Sequence, residues 1–228
     1  MKIINIKIIS FLSTLLISFS VMSINIPGAP SIPGLGGGGS DDSSSVDLPS
    51  AQANLETTMR DALAKLNRAE AHFARAKDDS ESAAAAENRV KTLTSDGDVD
   101  LNAVLEATAS ARKAGAEAEA KAGDLSADAK KEYAKGLLPY AQGVSLTSKV
   151  SKQAKSWMDA AQGELKSIKN PMKLAKLRKS LSGGMKIAKA IPNFLKTLGS
   201  STKGVFSFAK QQKMNTSNAE SSLPDDEF

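Results

Sequence analysis

The spacing of apolar residues predicts that the chain folds into amphipathic helices. From Leu55 onward, apolar residues recur at alternating intervals of four and three, so they lie on one face of a helix. This stripe consists of Leu55, Met59, Ala62, Leu66, Ala69, Phe73 and Ala76. Asp78, Asp79 and Ser80 then predict either the end of this helix or the start of a second helical segment that continues to Leu93. The pattern indicates helices that each bury one face.

Capping residues and periodicity predict two further helices. The turn-forming segment 95–100 ends at Asp100, a suitable N-cap for a helix that continues to about residue 122. Small residues in the stripe of this third helix favour close helix contact, and the stripe consists of Leu101, Val104, Thr108, Ala111, Gly115, Ala118 and Ala122. Ser126 is a suitable N-cap for a longer fourth helix with a coiled-coil-like seam. That seam consists of Tyr133, Leu137, Tyr140, Val144, Thr147, Ser151, Ala154, Met158, Ala161, Leu165 and Ile168.

Proline and glycine residues predict interruptions in the second half of the chain. Pro139 falls inside the fourth helix and predicts a kink or a break near residues 136–139. After residue 170 the apolar pattern continues, but a Gly-Gly pair, Pro192 and a further Gly interrupt it, which favours two or three shorter helices over one. The segment 215–228 has no apolar period and is predicted to be disordered.

The first 23 residues have the layout of a cleaved signal peptide. Two lysines precede an apolar run over residues 8–21, and the small residue Ser23 follows. An uncleaved membrane anchor is the alternative, but a run of about 14 residues is shorter than the roughly 20 that span a bilayer. We therefore expect an exported protein, periplasmic if the source is Gram-negative and otherwise secreted.

These features divide the chain into four parts. The signal peptide covers residues 1–23, and a linker rich in Pro, Gly and Ser covers residues 24–47. An elongated all-α bundle of about four to six helices, with coiled-coil-like seams, covers residues 48–214. Its basic half begins at about residue 129. A disordered acidic tail covers residues 215–228.

Charge is segregated along the chain. Residues 41–128 contain 18 acidic and 10 basic residues, whereas residues 129–214 contain 3 acidic and 18 basic residues. Within residues 171–213 there are ten Lys or Arg and no acidic residue, and four of the lysines recur at intervals of seven along one helix flank. One interpretation is that basic helices lie against acidic ones within the bundle. The other is a surface for an anionic partner, formed by Lys173, Lys176, Arg178, Lys179, Lys186, Lys189, Lys196, Lys203 and Lys210.

Several partners fit a basic amphipathic helix. A helix with an apolar stripe and a Lys-rich flank lies either at the interface of an anionic lipid membrane or in an ordinary bundle. Phe194, Phe206 and Phe208 would be membrane anchors in the first case and core residues in the second, and core is favoured. Nucleic acid is disfavoured because Arg is scarce and no aromatic stacking platform is evident. A protein partner or self-association is expected, with an anionic lipid surface as the alternative.

The sequence offers little for catalysis or metal binding. It has no Cys and a single His, His72, so thiolate sites and multi-histidine metal sites are not expected. Three alternating Asp residues end at Asp100 and resemble the first half of a calcium loop, but Leu101 and Ala107 stand where that loop needs Gly and Glu. Nucleophile elbows, phosphate-binding loops and dinucleotide motifs are missing. No catalytic residue, cofactor or metal site is predicted.

The functional prediction follows from these absences and from the charge pattern. Trp157, Tyr133 and Tyr140 could line a small-ligand pocket, although core packing explains them equally well. We expect an exported, non-enzymatic helical protein that acts as a binding or assembly component, with the basic surface as its candidate contact. One alternative is a membrane-surface-associating protein that uses cationic amphipathic helices over residues 171–213. Lesser alternatives are a cryptic enzyme and a small-ligand or lipid carrier.

Overall fold

The computed structural model describes residues 47–224, which form seven α-helices and contain no strand. The helices are α1 (Leu48–Arg75), α2 (Ser80–Thr94), α3 (Leu101–Lys121), α4 (Ala127–Ser167), α5 (Pro171–Ser180), α6 (Ser182–Gln211) and α7 (Ser217–Glu220). The predicted all-α, multi-helix fold is therefore confirmed for this part of the chain. The predictions for the signal peptide and for residues 24–46 of the linker lie outside the described residues.

Helix α1 lies at the centre of the bundle and contacts α2, α3, α4 and α6. All seven residues of its predicted apolar stripe are buried, and Leu55, Met59 and Phe73 are completely removed from solvent. Leu63 and Ala71, which flank the stripe, are buried as well. Because neighbouring helices cover α1 on more than one side, its buried surface is wider than the stripe that predicted it.

Helices α1 and α4 approach closely because α4 places glycines opposite bulky side chains of α1. A Cβ atom on Gly136 would stand 2.6 Å from Phe73 Cε1, and a Cβ atom on Gly143 would stand 2.7 Å from Leu66 Cγ. Protein interiors are packed without spare volume, so even a methyl group at these positions would have to displace the α1 side chains. The two glycines therefore set the distance between α1 and α4.

Helix α4 is continuous through Pro139, so the break considered for residues 136–139 is absent. Proline removes one backbone donor, but the buried side chains of Leu137 and Tyr140 hold the helix against the core on either side of it. Further along, two intervals of three follow each other from Val144 to Val150, and the buried face then continues through Ala154, Trp157 and Ala161. Trp157 therefore faces the core where the heptad pattern predicted Met158.

The capping residues identified in the sequence occupy the predicted helix starts. Asp100 Oδ1 accepts hydrogen bonds from the backbone N–H groups of the second and third residues after it, both at 3.1 Å. Ser126 Oγ accepts one from the third residue after it at 3.2 Å. Between α1 and α2, Asp78 adopts a left-handed backbone with φ of 58°, and the side chain of Asp79 caps α2. These contacts confirm that α1 ends before Ser80 and that α2 is a separate helix.

The buried side of α3 differs from the prediction. Ala111 and Ala118 were expected in the seam, but Arg112 and Glu119 are buried in their place. The prediction assumed that charged side chains face solvent, whereas these two pair with each other inside the bundle. The buried residues of α3 are Leu101, Leu105, Thr108, Arg112 and Glu119.

Between residues 171 and 211 the chain forms two helices instead of one, as predicted, but α6 has 30 residues and is continuous through Pro192. The prediction of disorder over residues 215–228 is wrong for the part that the structure describes. There α7 lies against α4 and buries Ala219. This contact holds the short helix in place, and no apolar period in the sequence predicted it. Residues 225–228 lie outside the described residues. Between residues 47 and 224, no helix combines the length and the apolar character that crossing a bilayer requires.

Candidate functional site

All nine cations of the predicted anionic-partner surface are exposed, and they lie on two consecutive helices. Helix α5 carries Lys173, Lys176, Arg178 and Lys179, and α6 carries Lys186, Lys189, Lys196, Lys203 and Lys210. Lys210 pairs with Glu220, with 2.5 Å between Nζ and Oε1. The other eight form no ion pair within the described residues. The cations are therefore almost all available to a partner.

One face of α6 alternates lysine with short polar residues. Its exposed residues in order are Lys189, Asn193, Lys196, Ser200, Lys203, Ser207 and Lys210. Seven residues of α-helix rise by about 10.5 Å, so the four ammonium groups follow a line roughly 31 Å long. The residues that lie between the lysines on this face, Asn193, Ser200 and Ser207, are neither acidic nor aromatic. We call this line the lysine row.

Two acidic side chains lie near the ends of α6. At one end, the hydrogen bond from Lys210 lowers the pKa of Glu220. Near the other end, a Cβ atom on Gly183 would stand 3.4 Å from Glu56 Oε1 of α1. The other three lysines of the row, Lys189, Lys196 and Lys203, have no acidic partner within the described part of the chain. The uncompensated charge is therefore greatest along the middle of the helix.

The opposite face of α6 belongs to the hydrophobic core. Phe194, Phe206 and Phe208 are only 1%, 6% and 5% exposed, so the expectation that they are core residues is confirmed. The helix packs against α3 and α4 through this face. Because burial of these rings holds α6 in the bundle, the lysine row is exposed without any detachment of the helix.

Helix α5 lies on the surface of the bundle and has no buried residue. It contacts α4 and α6, and the half-buried Leu177, followed by the buried Leu181, mark its inner side. Met172 lies on the outer side and is 73% exposed, the only large hydrophobic residue so exposed among those described. Lys176 and Lys179 follow it at helical intervals of four and three, so they share its face.

A second group of charged residues lies inside the bundle, around Arg112 of α3, which is 1% exposed. Arg112 Nη1 donates to Glu70 Oε1 and Nη2 donates to Glu119 Oε1, both at 2.7 Å. Lys77 Nζ lies 3.6 Å from the same Glu119 oxygen. The guanidinium carbon lies 5.5 Å from the centroid of the Phe73 ring, within cation–π range. The cluster joins α1 to α3.

Burial and pairing compete in this cluster. Burial disfavours the charged form of Arg112, but the attraction of Glu70 and Glu119 outweighs it and raises the pKa of Arg112. Burial raises the pKa of Glu70, because the attraction of Arg112 only partly offsets the loss of water and the repulsion of Glu119. Burial also lowers the pKa of Lys77. With both cations and both carboxylates ionised the cluster is neutral, and its ion pairs lie among its own four side chains, which is typical of a structural role.

An open groove between α1 and α2 contains the single His of the chain. Its volume is about 270 Å³, and it is lined by Arg68, Ala71, His72, Arg75, Glu87, Val90 and Lys91. His72 Nδ1 lies 2.8 Å from Glu132 Oε1, and Arg75 pairs with Glu87. Hydrogen bonds from Lys135 and His72 lower the pKa of Glu132 to about 2. Three side chains that line this groove, His72, Arg75 and Glu87, are therefore already paired with other side chains.

The Arg112 cluster was missed in the sequence, although one signal was present. Arg112 and Glu119 are seven residues apart on an Ala-rich helix, a spacing that places opposite charges on one flank.

Within residues 47–224, no group of three or more His, Asp or Glu side chains is arranged to hold a metal ion. Compared with known proteins, the chain matches no family model, no curated protein and no solved structure.

Proposed function

We propose that the protein is a non-enzymatic binding component that contacts an anionic partner through the lysine row of α6 and the cations of α5. The proposal includes export, because residues 1–23 have the layout of a signal peptide. The observation that carries it is the exposure of nine cations on α5 and α6, of which only Lys210 is paired within the described residues. Like charges that the backbone holds in line are relieved of their repulsion when an anionic surface approaches.

The pairing pattern supports this proposal over the interpretation that basic helices neutralise acidic ones. Neutralisation within the bundle would place carboxylates from α1, α2 or α3 against the lysines of α6. Instead, the acidic residue that reaches this row is Glu220, at the last lysine of α6. The buried carboxylates Glu70 and Glu119 pair with Arg112 and Lys77, away from the row.

Replacement of the lysine row by glutamine tests the proposal. The variant Lys189→Gln, Lys196→Gln, Lys203→Gln and Lys210→Gln removes four exposed charges and keeps helix-forming side chains. We expect its affinity for immobilised polyglutamate at low salt to fall by roughly tenfold or more, because each lysine contributes attraction that salt screens. The retained fold is checked by circular dichroism.

A charge-matched control separates the row from net charge. The control variant replaces four other exposed lysines with glutamine: Lys91, Lys113, Lys121 and Lys149. These lie on α2, α3 and α4, and the substitution changes the net charge equally. We expect polyglutamate binding by the control to stay within about twofold of the original, because attraction depends on local charge density. Equal losses in the two variants would show that the row has no special role.

A further inference from the structure

We infer that the anionic partner is the surface of a lipid bilayer with anionic headgroups, and that α5 enters its interfacial region. This inference rests on the proposed function of the basic surface and names its partner. The juxtaposition that leads to it is an exposed methionine surrounded by cations on a helix that has no buried residue.

The outer side of α5 combines what an interfacial helix requires. Met172 exposes 73% of its surface, although transfer of its apolar thioether side chain out of water would be favourable. Lys176 and Lys179 share its face, and Lys173 lies on its flank. At a bilayer the methionine would enter the boundary between headgroups and acyl chains, while the lysine stems would reach back to the phosphates. The inner side remains on the bundle through Leu177 and Leu181.

The chemistry of the cations favours lipid over an acidic protein. Eight of the nine surface cations are lysine and one is Arg178. Lysine is a compact point charge on a flexible stem and suits headgroups that move laterally, whereas arginine matches carboxylates held in fixed geometry. On the exposed face of α6 the residues between the lysines are short and polar, namely Asn193, Ser200 and Ser207, and they provide no aromatic anchor of the kind that dominates protein–protein contacts. The lysine row therefore attracts anionic headgroups, and α5 anchors the protein in the interfacial region.

The absence of cysteine allows a position-specific test. Met172→Cys labelled with an environment-sensitive dye reports on α5, and Ala85→Cys labelled in the same way reports on an exposed position of α2. The full chain is mixed with vesicles of phosphatidylcholine alone or of phosphatidylcholine with phosphatidylglycerol. Because the apolar N-terminal run could bind either kind of vesicle, the measured quantity is the difference between them. We expect a blue shift at position 172, with quenching by spin-labelled acyl chains, and neither effect at position 85.

Charge and apolar contributions are then separated by two substitutions. The four-glutamine variant of the lysine row is expected to lower the anionic-dependent partition coefficient by about 100-fold, because each lysine near such a surface contributes severalfold. Met172→Gln keeps the charge and length and is expected to lower it by about tenfold. The control that replaces Lys91, Lys113, Lys121 and Lys149 is expected to bind like the original. A control that loses as much as the row variant would overturn the inference.

The outcomes distinguish this inference from the proposed function. Anionic-dependent vesicle binding with an aqueous dye at position 172 would overturn the role of α5. Polyglutamate binding that depends on the lysine row, without anionic-dependent vesicle binding, would overturn the lipid partner, leave the proposed function standing and point to an acidic polypeptide. Loss of the row dependence in both assays would overturn both.

Discussion

Arg112 shows how a charged side chain becomes part of a hydrophobic core. Removing a guanidinium from water costs several kcal/mol, and attraction compensates only with good geometry. Here two carboxylates accept hydrogen bonds at 2.7 Å, and the ring of Phe73 lies 5.5 Å away. A complete cluster of this kind contributes little net stability. An incomplete one is costly, because it leaves a buried charge without a partner.

The substitution Arg112→Met tests this account. It leaves Glu70 and Glu119 buried with Lys77 as their remaining cation. We expect the free energy of unfolding, measured by urea denaturation, to fall by about 3–5 kcal/mol. Adding Glu70→Leu and Glu119→Leu to the same chain is expected to restore most of the loss, because the buried charges are then gone. A single variant that unfolds like the original, or a triple variant weaker than the single one, would contradict the account.

At the scale of elements, two glycines of α4 have opposite surroundings. A Cβ atom on Gly136 would meet Phe73 Cε1 at 2.6 Å and the carbonyl oxygen of Ala69 at 3.0 Å, whereas one on Gly163 would meet nothing within 4 Å. We expect Gly136→Ala to lower the free energy of unfolding by about 1–3 kcal/mol through overpacking. Gly163→Ala is expected to raise it by about 0.5–1 kcal/mol, because alanine restricts the unfolded chain and favours helix.

The two alanine variants share their chemistry and their helix, so helix propensity acts alike on both. The difference between their urea midpoints therefore measures the contact between α1 and α4. Equal shifts in the same direction would show that the close approach at Gly136 carries no energetic weight.

Some elements could be predicted from sequence because local residues determine them. Asp100 and Ser126 cap their helices through hydrogen bonds to the next turn, and the stripe of α1 is buried as its period indicates. The register of α3 could not be predicted, because Arg112 is buried by a partner 42 residues away in Glu70. Helix α7 was missed for a related reason, since the burial of Ala219 depends on a surface of α4.

The candidate surface, too, could be predicted only in part from the sequence. The lysines of α6 are exposed where the seven-residue spacing placed them, because charged side chains without partners remain in water. The exposure of Met172 could not be predicted, since an apolar residue in an amphipathic segment is expected on the inner side. That exposure depends on how α5 docks, which the two leucines on its other side determine.

At the scale of the whole molecule, core and charge are arranged independently. Buried apolar residues from every helix except α5 form one continuous cluster within the described part. The charge is divided along the chain, with a basic excess concentrated after residue 129. Since the lysine row is the outer face of a helix whose inner face is core, its charge can change without removal of core contacts. Binding and stability should therefore be separable by substitution.

A single continuous core predicts that the helices unfold together. Trp157, the only tryptophan, is 2% exposed, and its Nε1–H donates to the carbonyl oxygen of Leu48 at 3.2 Å. A Cβ atom on Gly184 would stand 2.8 Å from its ring, so its fluorescence reports where α4 meets the first turns of α1 and α6. We expect urea transitions followed by Trp157 fluorescence and by far-ultraviolet circular dichroism to share one midpoint and one slope. A fluorescence change at lower urea would mean that this junction opens before the rest of the bundle, and the helices would not form one cooperative unit.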